Sequence, residues 1–232
     1  DPEKYIDPEL CRQLVDEAPK DKVVMGMLWA CHFQDFCAAF GMQTCLMNMV
    51  AEPEMVHYVD DHIVAFYEKA LKIFLEATKG KVHAVLIGDD MGSQRGLMIS
   101  PALIKEFVIP GAKRLIDICH SYGVKVMYHS CGSIVDAIPL LIEAGVDIIH
   151  PIQALAVGMD PANLKAKFEG KVCFCGGVDT QDLLPNGTPE QVAAKVKELR
   201  GLILSPSHEA LQPDVPPANV RALFEEADKI YE

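Results

Sequence analysis

The stretch "VKVMYHSCGS" (residues 124–133) decides how the chain is read. An apolar run ends in His129, Cys131 and Gly132. Such runs read as strands, and strands usually close on turn residues such as Gly, Asn or Asp. Here two soft-metal ligands come first. Alternate residues of an extended chain face the same side, so His129 and Cys131 share a face. Gly132 and Ser133 break the strand, and Ser133 is expected to cap the helix that follows.

Working outward, the same kind of run recurs at "KVVMGML" (22–28), "HAVLIG" (83–88), "VDIIHP" (146–151), "KVCFCGG" (171–177) and "LILSPS" (202–207). The runs are continuous rather than alternating, as parallel strands buried on both faces require. Helix starts lie between them. Ser100-Pro101 opens a long helix to about residue 122. Asp160-Pro161 repeats the device, Thr188-Pro189 with Gln191 forms a capping box, and Pro216-Pro217 opens a last helix with Val220, Leu223 and Phe224 at helical spacing. Gly123 and Gly145 sit where helices should stop.

Alternating strands and helices with short connections give an α/β fold with a parallel sheet. The expected architecture is a (β/α)₈ TIM-type barrel in one catalytic domain, residues 1–232. No GxGxxG follows the first strand and no P-loop occurs, so a nucleotide-binding open sheet has no support. A barrel needs eight strands and six are counted, so the first two are expected to precede this sequence. The chain opens on "DPEKYIDPEL" without a methionine, and "VKELRGLILSP" passes from helix to strand through one glycine. Both features predict ordered pieces of a longer chain.

Half of the 232 residues are hydrophobic, enough for a well-filled core. No run reaches the length of a membrane span, and the opening is not a signal peptide. The net charge of −12 argues against nucleic acid or an anionic membrane as partner. The eight cysteines lack a disulfide-scaffold pattern and read as reduced thiols of a cytoplasmic protein. Only five arginines are present, Arg12, Arg95, Arg114, Arg200 and Arg221, which is few for a polyanionic substrate.

In a parallel barrel the chemistry lies at the C-terminal strand ends. Those positions hold Trp29 to His32, Asp89 and Asp90, His129 and Cys131, His150 and Gln153, Cys175 and Asp179, and His208 and Glu209. His129 and Cys131 offer an imidazole and a thiolate, which zinc accepts in a tetrahedral site. The third metal ligand comes from His208, Glu209 or Cys175. Asp89 and Asp90 are the candidate catalytic carboxylates, against a structural reading in which Asp90 caps a turn and Asp89 pairs with Arg95. Gln94, Arg95, His150, Gln153 and Asp179 are expected to contact the substrate.

"HSCGSIVDAIPLLIEAGVDIIHPIQ", "GMDPANLKAKF", "GGVDTQDLLPNGTPEQV" and "PDVPPANVRALFEEA" together resemble the uroporphyrinogen decarboxylase family, and more closely its corrinoid-dependent methyltransferase branch. The resemblance implies a (β/α)₈ barrel and zinc on the His-x-Cys pair that matches His129 and Cys131. It also implies a third zinc ligand after the last strand, where the branch has Cys and this chain has His208 or Glu209. The implied activity moves a methyl group between a small methylated or methyl-accepting substrate and a corrinoid. The sequence has no Asp-x-His-x-x-Gly motif, so the corrinoid is expected on a partner protein. The alternatives are metal-independent uroporphyrinogen decarboxylation and a non-catalytic barrel that binds a ligand or a corrinoid protein.

Overall fold

The computed structural model describes residues 1–231. The chain forms two compact units. The first comprises Asp1–Asp90, Ile99–His129 and Asp136–Asp147; the second comprises Met91–Met98, Ser130–Val135 and the chain from Ile148 onward.

In the first unit, strands β1 (Met25–Met27), β2 (Ala84–Gly88) and β3 (Lys125–His129) run parallel. Met25 pairs with Ala84, and Gly88 pairs with His129. Around them lie α1 (Pro8–Glu17), α2 (His32–Phe40), α3 (Met42–Ala51) and α4 (Pro53–Ala77). The helix expected from residue 101 to 122 is three consecutive pieces: α5 (Pro101–Leu103), a π-helical turn (Ile104–Val108) and α6 (Ile109–Ser121). Pro110 explains the break, because it has no N–H for the carbonyl of Glu106 four residues earlier. Helix α7 (Ile138–Ala144) closes the unit, ending on Gly145 in the left-handed conformation (φ 104°). All five residues of β2 are buried, as a strand covered on both faces should be. The core gathers Phe33, Phe36, Leu71, Leu75, Ile87, Phe107 and Ile116.

In the second unit, β4 (Ile148–Ile152), β5 (Cys173–Val178) and β6 (Ile203–Pro206) run parallel. Helix α8 (Pro161–Phe168) starts at the Asp160 cap, and a short α9 (Leu183–Asn186) follows β5. Helix α10 (Pro189–Glu198) has the complete Thr188–Gln191 capping box and packs on α11 (Pro217–Tyr231). Four residues, 199–202, join α10 to β6, an ordinary αβ loop rather than the single glycine read from sequence. Two local expectations change. The Ser133 hydroxyl donates to the Val157 carbonyl and does not cap α7. Leu223 is buried as expected, but Phe224 is exposed and Glu226 is buried in its stead.

Parallel strands separated by helices, six of them among the described residues, form the β/α repeat of a TIM-type barrel. In each unit the candidate residues cluster at the C-terminal strand ends. The Asp89 N–H donates to the His129 carbonyl, so both lie at one end of the first unit's sheet.

The opposite end of that sheet is tied by Asp147. Its carboxylate accepts from Lys125 at 2.8 Å and from the Val126 N–H at 2.9 Å, and it pairs with His120 at 2.8 Å. Burial pushes this carboxyl up, but Lys125, His120 and the Val126 N–H outweigh it and hold it below the usual Asp range. A lowered folded value means stability that is complete above the ordinary Asp pKa of about 3.9 and is lost as pH falls through the folded value. Asp147→Asn should therefore cost about 1 kcal/mol at pH 7. Thermal unfolding of parent and variant should converge as pH falls below about 3.9; equal melting temperatures at pH 7 would contradict the assignment.

Candidate active site

The first unit builds its site around a buried histidine. His32 opens α2 and is 1 % exposed. Its Nδ1 lies 2.7 Å from Asp60 Oδ1, and its Nε2 lies 3.6 Å from Asp89 Oδ2. Asp89, fully buried at the end of β2, accepts the Gln34 N–H through Oδ1 at 3.0 Å and also an N–H from Phe33. It thereby caps α2 from another strand, since Cys31 at the helix's own N-cap makes no such bond. The Gln34 side chain returns the bond, its Oε1 accepting the Asp90 N–H at 3.2 Å. The pairing is a capping box split between two chain segments.

Burial drives the Asp89 carboxyl up to about 7 against the pull of His32 and the two N–H donors. Burial also works against protonation of His32, but Asp89 and Asp60 outweigh it and hold the imidazole above its ordinary value. His32 Nε2, Asp89 Oδ2 and Tyr128 Oη are buried without a hydrogen-bond partner.

Asp90 differs from its neighbour. Its side chain is 35 % exposed, and Oδ1 stands 3.3 Å from His129 Nε2. The Trp29 ring meets the His129 ring edge-on at 4.9 Å between centroids. Of the two adjacent carboxylates, Asp90 is thus the one open to a reacting group, whereas Asp89 organises α2.

The second unit carries Cys131, half-buried in the loop that opens at Ser130. Ser130 donates its N–H to the His150 carbonyl, and its Oγ accepts from Met91. His150 and Glu209 bring ligand atoms within 4.8 Å of each other. His208 Nδ1 accepts the Ala210 N–H, a bond internal to its turn, with the side chain 43 % exposed. Cys175 is buried and hydrogen-bonded to Ser205, and burial pushes its thiol up to about 11. Gln94, Gln153 and Gln181 form an amide chain: Gln181 donates to Gln94 at 3.4 Å and Gln94 donates to Gln153 at 3.1 Å. Asp179 takes the N–H groups of Gln181, Asp182 and Leu183, so it shapes the loop after β5. Arg95 is exposed, with its N–H on Ser93 Oγ, and Asp89 pairs with His32 rather than with it.

The imidazole, thiol and carboxylate donors are of the kinds that zinc accepts. His129 with Asp90 supplies N and O in the first unit; His150 and Glu209 supply N and O in the second, which also carries the Cys131 thiol. On these placements Glu209 competes strongly with His208 for the role of ligand from the loop after β6.

Sequence reasoning missed Asp60 and gave His32 no role. Their signal was present. Val56, Asp60 and Val64 recur every fourth residue along α4, and all three are buried, so the apolar face of a helix carries one carboxylate. A buried acid needs a partner, and the strand-end His32 is that partner.

Known proteins agree with this architecture. A solved methyltransferase from Methanosarcina mazei superposes with a TM-score of 0.78 at 16 % identity, covering 97 % of this chain and 64 % of that one. The likeness establishes the fold. The methylated-thiol–coenzyme M methyltransferase of Methanosarcina mazei is 27 % identical over 151 residues, which are 63 % of this chain and 36 % of that protein. The chain therefore spans well under half of that relative's length. The family model for uroporphyrinogen decarboxylase (URO-D) matches residues 8–230, nearly the whole sequence. With the β/α repeat and the strand-end residues in place, that match makes this chain a member of the uroporphyrinogen decarboxylase family.

Proposed function

We propose that this chain catalyses transfer of a methyl group between a small substrate and a corrinoid carried by a separate protein. One observation carries the reading: the strand β3 ends in His129 and, two residues on, Cys131, with Asp90 3.3 Å from the imidazole. His129 and Cys131 would hold zinc, with His208 or Glu209 as the third ligand. Bound there, it would supply a Lewis acid that lowers the pKa of a substrate thiol or hydroxyl. The name of the Methanosarcina mazei relative supports a thiol among the substrates.

The chain's own groups do the rest. Asp90 and Trp29 both contact the His129 ring and orient it. Asp90 is exposed enough to take or return a proton at Oδ2, and Asp89 holds it in place through Gln34. Gln94, Gln153 and His150 contact the substrate, and Arg95 reaches an anionic group on it. Reduced cysteines support a cytoplasmic setting. No helix among the described residues is long and apolar enough to cross a membrane.

Uroporphyrinogen decarboxylation is the weaker reading. A substrate with many carboxylates calls for several free guanidiniums. Arg12 is paired with Glu9, and Arg114 with Glu68 and Asp61; only Arg95 lies in a strand-end loop among the described residues.

Mixing the protein and a methylated thiol with a Co(I) corrinoid protein should change the visible spectrum of the corrinoid. Cys131→Ala or His129→Ala should slow that change at least about tenfold, because loss of a Lewis acid removes several kcal/mol of transition-state stabilisation. Asp90→Asn should lower kcat while leaving the melting temperature within a few degrees of the parent. Release of CO₂ from uroporphyrinogen, unaffected by Cys131→Ala and with no corrinoid response to a panel of methyl donors, would select the other reading.

A further inference from the structure

The three glutamines of the second unit have a fixed direction. Gln153, just beyond β4, accepts at Oε1 from the Gly132 backbone N–H at 3.0 Å and from Gln94 Nε2 at 3.1 Å. A backbone N–H can only donate, so this bond settles which end of the amide is oxygen. Both lone pairs of Oε1 are engaged, and Nε2 turns away from Gly132 with two donors. The approach of Gly132 is specific: its φ is +79°, and a Cβ there would come within 2.6 Å of the Gly92 carbonyl carbon.

No described protein group accepts from Gln153 Nε2, although the residue is only 9 % exposed. The nitrogen is also not among the buried unpaired atoms, so it keeps an open approach. A donor pair left open on a side chain this buried is positioned for an acceptor that arrives at the strand ends.

We propose that Gln153 determines substrate specificity: its Nε2 donates to an oxygen acceptor on the small substrate, favouring a carboxylate-type end over an ammonium end. This rests on the reading that the substrate binds at these strand ends. The amide dipole presents its positive end, which attracts oxygen lone pairs and repels a cation.

Gln153→Glu isolates the effect. The variant keeps Oε1 for Gly132 and Gln94 and replaces only the outward NH₂ with a carboxylate oxygen. Binding of 3-mercaptopropionate, 1-propanethiol and cysteamine to the full chain, measured by ligand-observed NMR, needs no turnover. The parent should bind 3-mercaptopropionate roughly tenfold more tightly than cysteamine, with 1-propanethiol between them, and Gln153→Glu should reverse the order. Gln94→Leu removes one of the two bonds that hold the amide and should shrink the discrimination to about threefold, which tests the idea if the glutamate variant does not fold. A parent that prefers cysteamine, an order unchanged in Gln153→Glu, or no binding of any of the three thiols below about 50 mM would overturn it. Discrimination among the thiols without any corrinoid response would count against the reaction proposed above and leave the role of Gln153 standing.

Discussion

One buried imidazole, His32 between Asp60 and Asp89, is the constraint on which the strand-end chemistry of the first unit depends. Removing such groups from water costs several kcal/mol per ion, which the 2.7 Å contact of Nδ1 with Asp60 and the backbone N–H groups on Asp89 offset. Three helices are shaped around the imidazole. α2 supplies it at its first position, α4 supplies Asp60 on an otherwise apolar face, and α6 supplies Gly111. A Cβ at Gly111 would sit 2.6 Å from His32 Cε1, so the helix carries a glycine that costs it about 1 kcal/mol relative to alanine.

The consequence reaches the exposed carboxylate through short links. His32 faces Asp89, Asp89 caps α2, and Gln34 of that helix binds the Asp90 N–H. Asp90 then meets His129. The adjacent aspartates therefore divide the work by environment: Asp89 is dry and organises the backbone, whereas Asp90 is half-open and faces the imidazole. In the second unit, amide hydrogen bonds take the organising role, through Gln94, Gln153 and the Gly132 N–H.

The fold was legible because its signals are local. The buried parallel strands are continuous apolar runs, and the caps at Ser100, Asp160 and Thr188 stand where their side chains bond. β1 is shorter than its run because Val23 is largely exposed and leaves the ladder. The helices of residues 32–77 were harder to see. α3 is rich in Met and Cys on several faces, which blurs the helical period. In the site, His129, Cys131 and the aspartates followed from strand-end position alone. The partner of His32 did not, since Asp60 is 28 residues away in sequence and only the packing of α4 brings it close. The choice between His208 and Glu209 had no periodic pattern to guide it, because both lie in the irregular segment after β6.

The central claim is that the pair His129 and Cys131 is a metal site in service of methyl transfer. The most direct test is the transition-metal content of the protein purified without chelator, beside that of Cys131→Ala checked for folding by circular dichroism. The account predicts about one zinc per chain in the parent and a loss of at least tenfold in zinc affinity in the folded variant. A parent that takes up no transition metal, or a folded Cys131→Ala that retains full stoichiometric zinc, would contradict it.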